Sequence, residues 1–189
     1  LTDNYIRGFA EDDRKNIWIA TSNGINCIDH TTKKIIRFYP KSIDKKCTTN
    51  AAVRLLKHSD GNVYAFCNQS IFKCSMDQTV EPILPDTVIS SPAHSVAQAP
   101  DEDIYIGTES SGLYIYSGNW KLKQHIPVDG TITAILPDEG GKHMAGGWTK
   151  PESAFSTKRG RLLPGCTKTT PASATTRYAH SSPIATVPF

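Results

Sequence analysis

Two acidic runs, Glu11-Asp12-Asp13 and Asp101-Glu102-Asp103, are the side chains of this sequence best suited by type to acid–base chemistry. Paired carboxylates can act on sugars, one as acid and the other as base or nucleophile. Both runs fall at the first tight turn of a repeated unit, where Asp is favoured because its carboxylate accepts nearby backbone N–H groups. They are read as turn residues, and neither has the Asp-x-Asp-x-Asp-Gly spacing of a calcium loop. The six histidines (His30, His58, His94, His125, His143, His180) stand singly, with no His-x-x-x-His or Glu-x-x-His pair that could hold a metal on one face. A Gly-x-x-x-x-Gly-Lys-Ser/Thr phosphate loop and a Gly-x-Ser-x-Gly elbow are both missing from the sequence. No catalytic residue, metal ligand or cofactor is therefore expected, and the chain is read as non-enzymatic, with a protein-interaction scaffold, or a fragment of a propeller lyase or glycan hydrolase whose active site lies in missing blades, as the alternatives.

The five cysteines, Cys27, Cys47, Cys67, Cys74 and Cys166, are odd in number, which excludes complete pairing within the chain. No Cys-x-x-Cys occurs. Cys27, Cys67 and Cys74 lie in strand-like runs and read as small buried hydrophobes.

The net charge of +3 is unevenly distributed. Six Lys or Arg and one Glu fall after residue 148, which makes that segment +5 and leaves −2 for residues 1–148. With no basic stripe in the strand-rich part, a nucleic-acid partner is not expected. No run approaches the ~20 apolar residues that span a bilayer, so membrane contact is expected only through parts of a parent protein outside this chain. Residues 1–12 begin with Leu1 and read as the middle of a repeating unit, as in a piece cut from a longer protein.

The elements that must position these residues follow a repeat. Four segments, beginning at Ile6, Val53, Val96 and Ile132, each read as a short apolar strand, an acidic or Gly-bearing turn, and a second strand with a large anchor. The anchors Trp18, Tyr64, Tyr105 and Met144 are spaced by 46, 41 and 39 residues. A period near 40 with several short strands per unit is the sequence signature of propeller blades. Further strands complete each unit. The first has Ile25–Ile28 and Ile35–Tyr39, the second Ser70–Cys74 and Val80–Leu84, and the third Leu113–Tyr116 and Trp120–Ile126. The fold class is all-β: a β-propeller fragment of about three to four blades of four-stranded antiparallel sheet. Blades are expected at about 1–44, 45–90 and 91–130, with an incomplete one at 131–148. The aromatic anchors are expected to fill the gaps between blades. Closed propellers need about four to eight blades, so the remaining blades are expected outside this chain.

The run Leu1-Thr-Asp-Asn-Tyr-Ile-Arg-Gly-Phe-Ala-Glu-Asp12, followed by Asn16-Ile-Trp-Ile-Ala-Thr-Ser-Asn-Gly-Ile25, resembles the two-component regulator propeller repeat. Trp18-Ile-Ala-Thr21, Gly24 and Asp29 carry the match in the first unit. Tyr105-Ile-Gly-Thr108 and Gly112-Leu-Tyr-Ile-Tyr116 carry it in the third. The second unit departs, since Tyr64-Ala-Phe-Cys67 lacks the Gly-Thr. The resemblance implies a periplasmic propeller of a dimeric hybrid sensor histidine kinase of Bacteroides type, with a ligand drawn from the breakdown products of complex carbohydrates. The remaining blades and sensor domains would be its partners; kinase activity would belong to domains not present here.

Propellers recognise ligands on one face of the disc. Loops between second and third strands share a face with the connections between blades. Ser22, Asn23, Asn68, Gln69, Glu109 and Ser110 are therefore expected together on one face, as hydroxyl, amide and carboxylate groups suited to an oligosaccharide.

From Thr149 to Phe189 the pattern is lost. Eight Thr, five Ser and five Pro stand among 41 residues. Residues 149–189 are read as an out-of-frame or artificial continuation, with a disordered linker as the alternative because so polar a segment cannot offset its ordering entropy.

Overall fold

The computed structural model describes residues 1–83 and 89–137, together with the backbone of strand segments 143–149, 157–158 and 161–162. Most of the segment 149–189 lies outside the described residues.

The chain forms four successive four-stranded antiparallel sheets, each strand hydrogen-bonded to the next in sequence. The first holds β1 (Ile6–Glu11), β2 (Ile17–Thr21), β3 (Gly24–Ile28) and β4 (Ile35–Phe38). A one-turn helix, α1 (Pro40–Ile43), follows, too short to leave a periodicity in the sequence. The second sheet holds β5 (Arg54–Lys57), β6 (Val63–Cys67), β7 (Ser70–Cys74) and β8 (Val80–Ile83), with Leu84 outside the described residues. The third holds β9 (Ala93–Gln98), β10 (Ile104–Thr108), β11 (Leu113–Tyr116) and β12 (Leu122–Ile126). The fourth joins β13 (Gly130–Pro137) and β14 (His143–Thr149) to the two-residue strands β15 (Thr157–Lys158) and β16 (Arg161–Leu162). The first strand of each sheet neighbours that of the next, β1 by β5, β5 by β9 and β9 by β13, so these four line the inner wall. This is the blade arrangement of a β-propeller.

Trp120 departs from expectation. It sits in the turn before β12 with φ at 64°, and its ring packs on the core between the second and third sheets. A left-handed residue cannot continue a strand, which is why β12 starts two residues later.

Strand alternation makes the cores. In β6, Val63, Ala65 and Cys67 face the first sheet, while Tyr64 and Phe66 face the third. In β10, Ile104 and Ile106 face the second sheet and Tyr105 the fourth. Both faces of a middle sheet are thus apolar, and only stacking between neighbours removes both from water. The anchors Trp18, Tyr64 and Tyr105 each lie buried between consecutive sheets. The side chain of the fourth, Met144, lies outside the described residues.

Each anchor with a polar tip needs a partner when buried. The Trp18 indole N–H donates to Asp12 Oδ2 at 2.9 Å, and Asp12 also accepts from the backbone N–H and side-chain amide of Asn16. The Tyr64 hydroxyl donates to Asp60 Oδ2 at 2.9 Å, and the Asn62 N–H donates to Asp60 Oδ1. Asn16 and Asn62 also reach forward 14 residues, accepting the N–H of His30 and Met76 and so tying the first turn of each blade to its third.

The Thr of the repeat closes the middle hairpin. Thr21 Oγ1 donates to the Gly24 carbonyl at 2.9 Å, and Thr108 Oγ1 to the Gly112 carbonyl at 2.8 Å. The second blade has Cys67 at this place. Gly107 is required by close approach, because a Cβ there would lie 2.4 Å from Ser95 Oγ and 2.6 Å from the Ile132 side chain. That approach lets Ser95 Oγ donate to the Ile132 carbonyl at 2.7 Å, joining the third and fourth sheets.

Four free thiols, Cys27, Cys47, Cys67 and Cys74, share the single core between the first two sheets. Burial pushes the Cys27 thiol up to about 12, and raises Cys67 and Cys74 well above the ordinary range. Reactivity requires the thiolate. A disulfide-exchange reagent added to the native protein should leave these four unmodified, and all four should react once the chain is unfolded. Rapid native modification of two or more thiols would show that the sheets are not stacked as described. Trp18→Ala should cost about 3–5 kcal/mol in urea unfolding, through lost contacts and the cavity left behind.

Candidate functional site

The structure places Ser22, Asn23, Asn68, Gln69, Glu109 and Ser110 on the face expected for them, at the second-to-third-strand turns. Ser22 Oγ accepts from Arg7 Nε, and Asn23 Oδ1 from Asn50 Nδ2. Asn68 Nδ2 donates to Thr48 Oγ1, and Gln69 Nε2 to the Ser90 carbonyl. The Ser110 N–H donates to Ser91 Oγ, the Glu109 N–H to the Pro92 carbonyl, and the Glu109 carbonyl accepts from Thr131 Oγ1. The side chains of Asn23, Asn68 and Gln69 thus serve joints to the connections between blades, to which Glu109 and Ser110 contribute backbone groups.

The opposite face holds a cleft of about 640 Å³, lined by Asp13, Lys57, His58, Ser59, Gln98, Ala99, Pro100, Glu102 and Pro137. None of the six expected residues contributes to it. It is built from the first turns of three blades and the end of β13, which the inner strands bring to one mouth.

Lys57 Nζ bonds Asp13 Oδ1 at 2.6 Å across the first two blades. Both groups are exposed, so the pair is worth about 0–1 kcal/mol and its charges stay open to exchange. Gln98 joins the second and third blades. Its Oε1 accepts the Ser59 N–H at 2.8 Å, and its Nε2 donates to Ser59 Oγ at 3.2 Å and to the Glu102 carbonyl at 3.1 Å. Glu102 has φ at 69°, a left-handed backbone that disfavours a residue with a Cβ. The equivalent turn position, three before each anchor, is Lys15 with φ 68° in the first blade and Gly61 with φ 89° in the second. The turn therefore demands this conformation in all three blades, and only the second supplies glycine.

His58 lines the cleft and is buried. Its Nδ1 lies 3.1 Å from the Asp60 N–H and 3.0 Å from Asp60 Oδ1, and its ring lies 5.0 Å from Tyr64 and 6.3 Å from Trp120. Its Nε2 has no hydrogen-bond partner among the described residues. Burial, with the Asp60 hydrogen bond, pushes the Tyr64 hydroxyl up to about 12. For Asp60 burial acts upward, but bonds from Asn62 and Tyr64 and the nearby His58 outweigh it and hold the carboxyl below its ordinary value. Among the described residues no three His, Cys, Asp or Glu side chains cluster as metal ligands would. Lys57, Ser59 and Gln98 were missed by sequence reasoning. The available signal was their position at the first turn of each repeat, beside the acidic runs.

The sequence profile of the family described as Two component regulator propeller matches residues 1–23. Over these residues the chain is similar to a two-component regulator propeller repeat. No curated protein sequence matches the chain. Among solved structures, the extracellular domain of BT4673 from B. thetaiotaomicron, assigned to a hybrid two component system, superposes with a TM-score of 0.62 at 18% identity over 76% of this chain. The chain spans about a fifth of that domain's length, 20%. The WD40 beta propeller domain of Doa1 superposes with a TM-score of 0.56 at 18% identity, covering 75% of this chain and 47% of that one. A protein of unknown function from Bacteroides caccae gives 0.50 at 15% identity, covering 74% and 52%. At such identities the likeness concerns the fold, which in Doa1 is a beta propeller.

Asp29, the matching Asp that ends the repeat's short strand, links the first two blades on the cleft-bearing side. It accepts from the Thr32 N–H, the Thr32 hydroxyl and the Gln78 amide, which together hold its carboxyl at about 2 against an ordinary 3.8. A depressed carboxylate contributes stability above its unfolded value, and that contribution is lost as pH falls through the folded one. The stability difference between the native chain and Asp29→Asn should be full at pH 5 and shrink steadily towards pH 2. A difference constant across that range would show that the carboxylate charge is not what these bonds hold.

Proposed function

We propose that this chain is part of the extracellular, periplasmic propeller of a two-component sensor and binds breakdown products of complex carbohydrates without transforming them. The match of residues 1–23 to the two component regulator propeller profile carries this reading. The likeness in fold to an extracellular domain assigned to such a system supports it. In this reading the signalling domains and the remaining blades belong to the parent protein, which acts as a dimer.

The cleft at the inner-strand mouth is the ligand site that the geometry supports best. Lys57 donates, Asp13 and Glu102 accept, and Ser59 and Gln98 do both, which suits sugar hydroxyls that act as donor and acceptor at once. The lining groups come from different blades, so a ligand touching them interacts with the arrangement of blades. A ligand shifts a conformational equilibrium by its difference in affinity for the two states. The Gln98–Ser59 contact between the second and third blades is where such a difference would arise.

A panel of oligosaccharide fragments tested by thermal melting should contain at least one that stabilises the chain, by about 2.7 kcal/mol when present at 100 times its Kd. Gln98→Ala should diminish that shift. Glu102→Gly should separate two effects: relief of the left-handed backbone should raise the unliganded melting temperature, while loss of the carboxylate should reduce the ligand-induced shift. If no fragment moves the melting temperature, the sensor reading fails for this chain and a protein-interaction scaffold takes its place.

A further inference from the structure

His58 lines the cleft with one ring nitrogen satisfied and the other not. The Asp60 backbone N–H donates to Nδ1 at 3.1 Å. A backbone N–H can only donate, so Nδ1 presents a lone pair and the neutral ring carries its proton on Nε2. Asp60 Oδ1 also lies 3.0 Å from Nδ1, but it accepts the Asn62 N–H. Nε2 is closed to water, and no acceptor meets it among the described residues. The side chain is 6% exposed and held against Tyr64 and Trp120, which leaves the ring little freedom to carry that proton to solvent. A buried donor without an acceptor favours any ligand that supplies one.

The surroundings decide which acceptor suits the place. Lys57, next to His58 in the chain, is paired with Asp13. The Glu102 carboxylate enters neither that pair nor the Lys123–Asp103 pair beside it. The lining therefore sets two carboxylates against one ammonium. A ligand carboxylate would be repelled there, and it would lose its hydration at a buried donor. A hydroxyl would bring a proton of its own, which then needs an acceptor in the same dry place. An amide carbonyl brings neither charge nor proton. In a trans amide the N–H points away from the C=O. Glu102 stands on the third blade and His58 on the second, so an acceptor and a donor come from different walls of the cleft. Ala99 and Pro100, on the turn of Glu102, offer an apolar surface to a methyl group.

We propose that the cleft selects saccharides bearing an N-acetylated amino group, whose carbonyl accepts from His58 Nε2–H and whose N–H donates to the Glu102 carboxylate. This selectivity rests on the cleft being the saccharide site proposed above, and it adds the class of sugar. Because Nε2 is covered in the free protein, a ligand reaches it by displacing the groups around it. His58 packs on Trp120 of the third blade, so binding that uncovers Nε2 shifts a contact between the second and third blades.

The test titrates β-1,4-linked disaccharides of glucose, glucosamine and N-acetylglucosamine, which differ only at the second carbon of each ring, into the intact chain by calorimetry. The N-acetylated disaccharide should bind about tenfold or more tightly than the glucose one, the scale of a buried hydrogen bond gained. His58→Asn keeps an acceptor for the Asp60 N–H and removes the Nε2 donor. Glu102→Lys removes the acceptor and gives this turn the residue that the first blade carries there, Lys15 with φ 68°. Each substitution should bring the ratio down to about threefold or less. Where the buried His58 variant does not fold, the exposed Glu102→Lys carries the comparison. Equal affinity for the acetylated and the glucose disaccharides, tightest binding of the glucosamine one, or a preference that survives the substitutions overturns the proposal and leaves the saccharide reading in place. If none of the three binds, the proposal also falls, and the saccharide reading falls with it only when the wider panel of fragments is silent as well.

Discussion

No sheet of this chain can bury both of its faces alone, and the rest of the structure answers that constraint. The period-two alternation of β6 and β10 sends apolar side chains to both sides, so each middle sheet needs a neighbour on each flank. The aromatic anchors serve this stacking because they reach far enough to fill the space between sheets. Their polar tips are met by first-turn residues, Asp12 for Trp18 and Asp60 for Tyr64. The carboxylates that look most like catalytic groups in the sequence include one that is committed to packing.

The two ends of the blades carry different duties. At the second-to-third-strand turns, amides and hydroxyls join each blade to the connection beside it, and Asn23, Asn68 and Gln69 are drawn into those joints. At the first turns, the inner strands converge and the side chains of neighbouring blades face a shared cleft. The cleft face carries joints of its own, Lys57 to Asp13 and Gln98 to Ser59, and these line the cleft. A left-handed backbone recurs at the same turn position in three blades, yet only Gly61 accommodates it freely. Lys15 and Glu102 keep the less favourable conformation because the turn requires it.

Much of the fold is legible in the sequence. Strand alternation, the anchor spacing of 46 and 41 residues, and the Thr and Gly of the middle hairpin each follow from local chemistry, and the observed sheets use them as such. Trp120 was misplaced into a strand because an aromatic beside Leu122 reads as strand, whereas its left-handed backbone and its burial between sheets belong to the turn. The candidate site was legible only in part. The sequence located both sets of turns, and polarity alone favoured Asn23, Asn68 and Glu109, which are as polar as Lys57, Gln98 and Glu102.

What the sequence by itself determined is the repeating unit: four short strands, the turn chemistry between them, and an apolar residue on each side of the middle strands. These depend on neighbours a few residues apart, and so they can be read along the chain. Only the tertiary structure decided which turns converge. Asp13, Lys57 and Gln98 stand some 40 residues apart in sequence and meet because stacked sheets point their first turns at one mouth. Whether a polar side chain there joins blades or remains open to a ligand depends on the groups that stacking places within hydrogen-bond reach, and no local pattern encodes that.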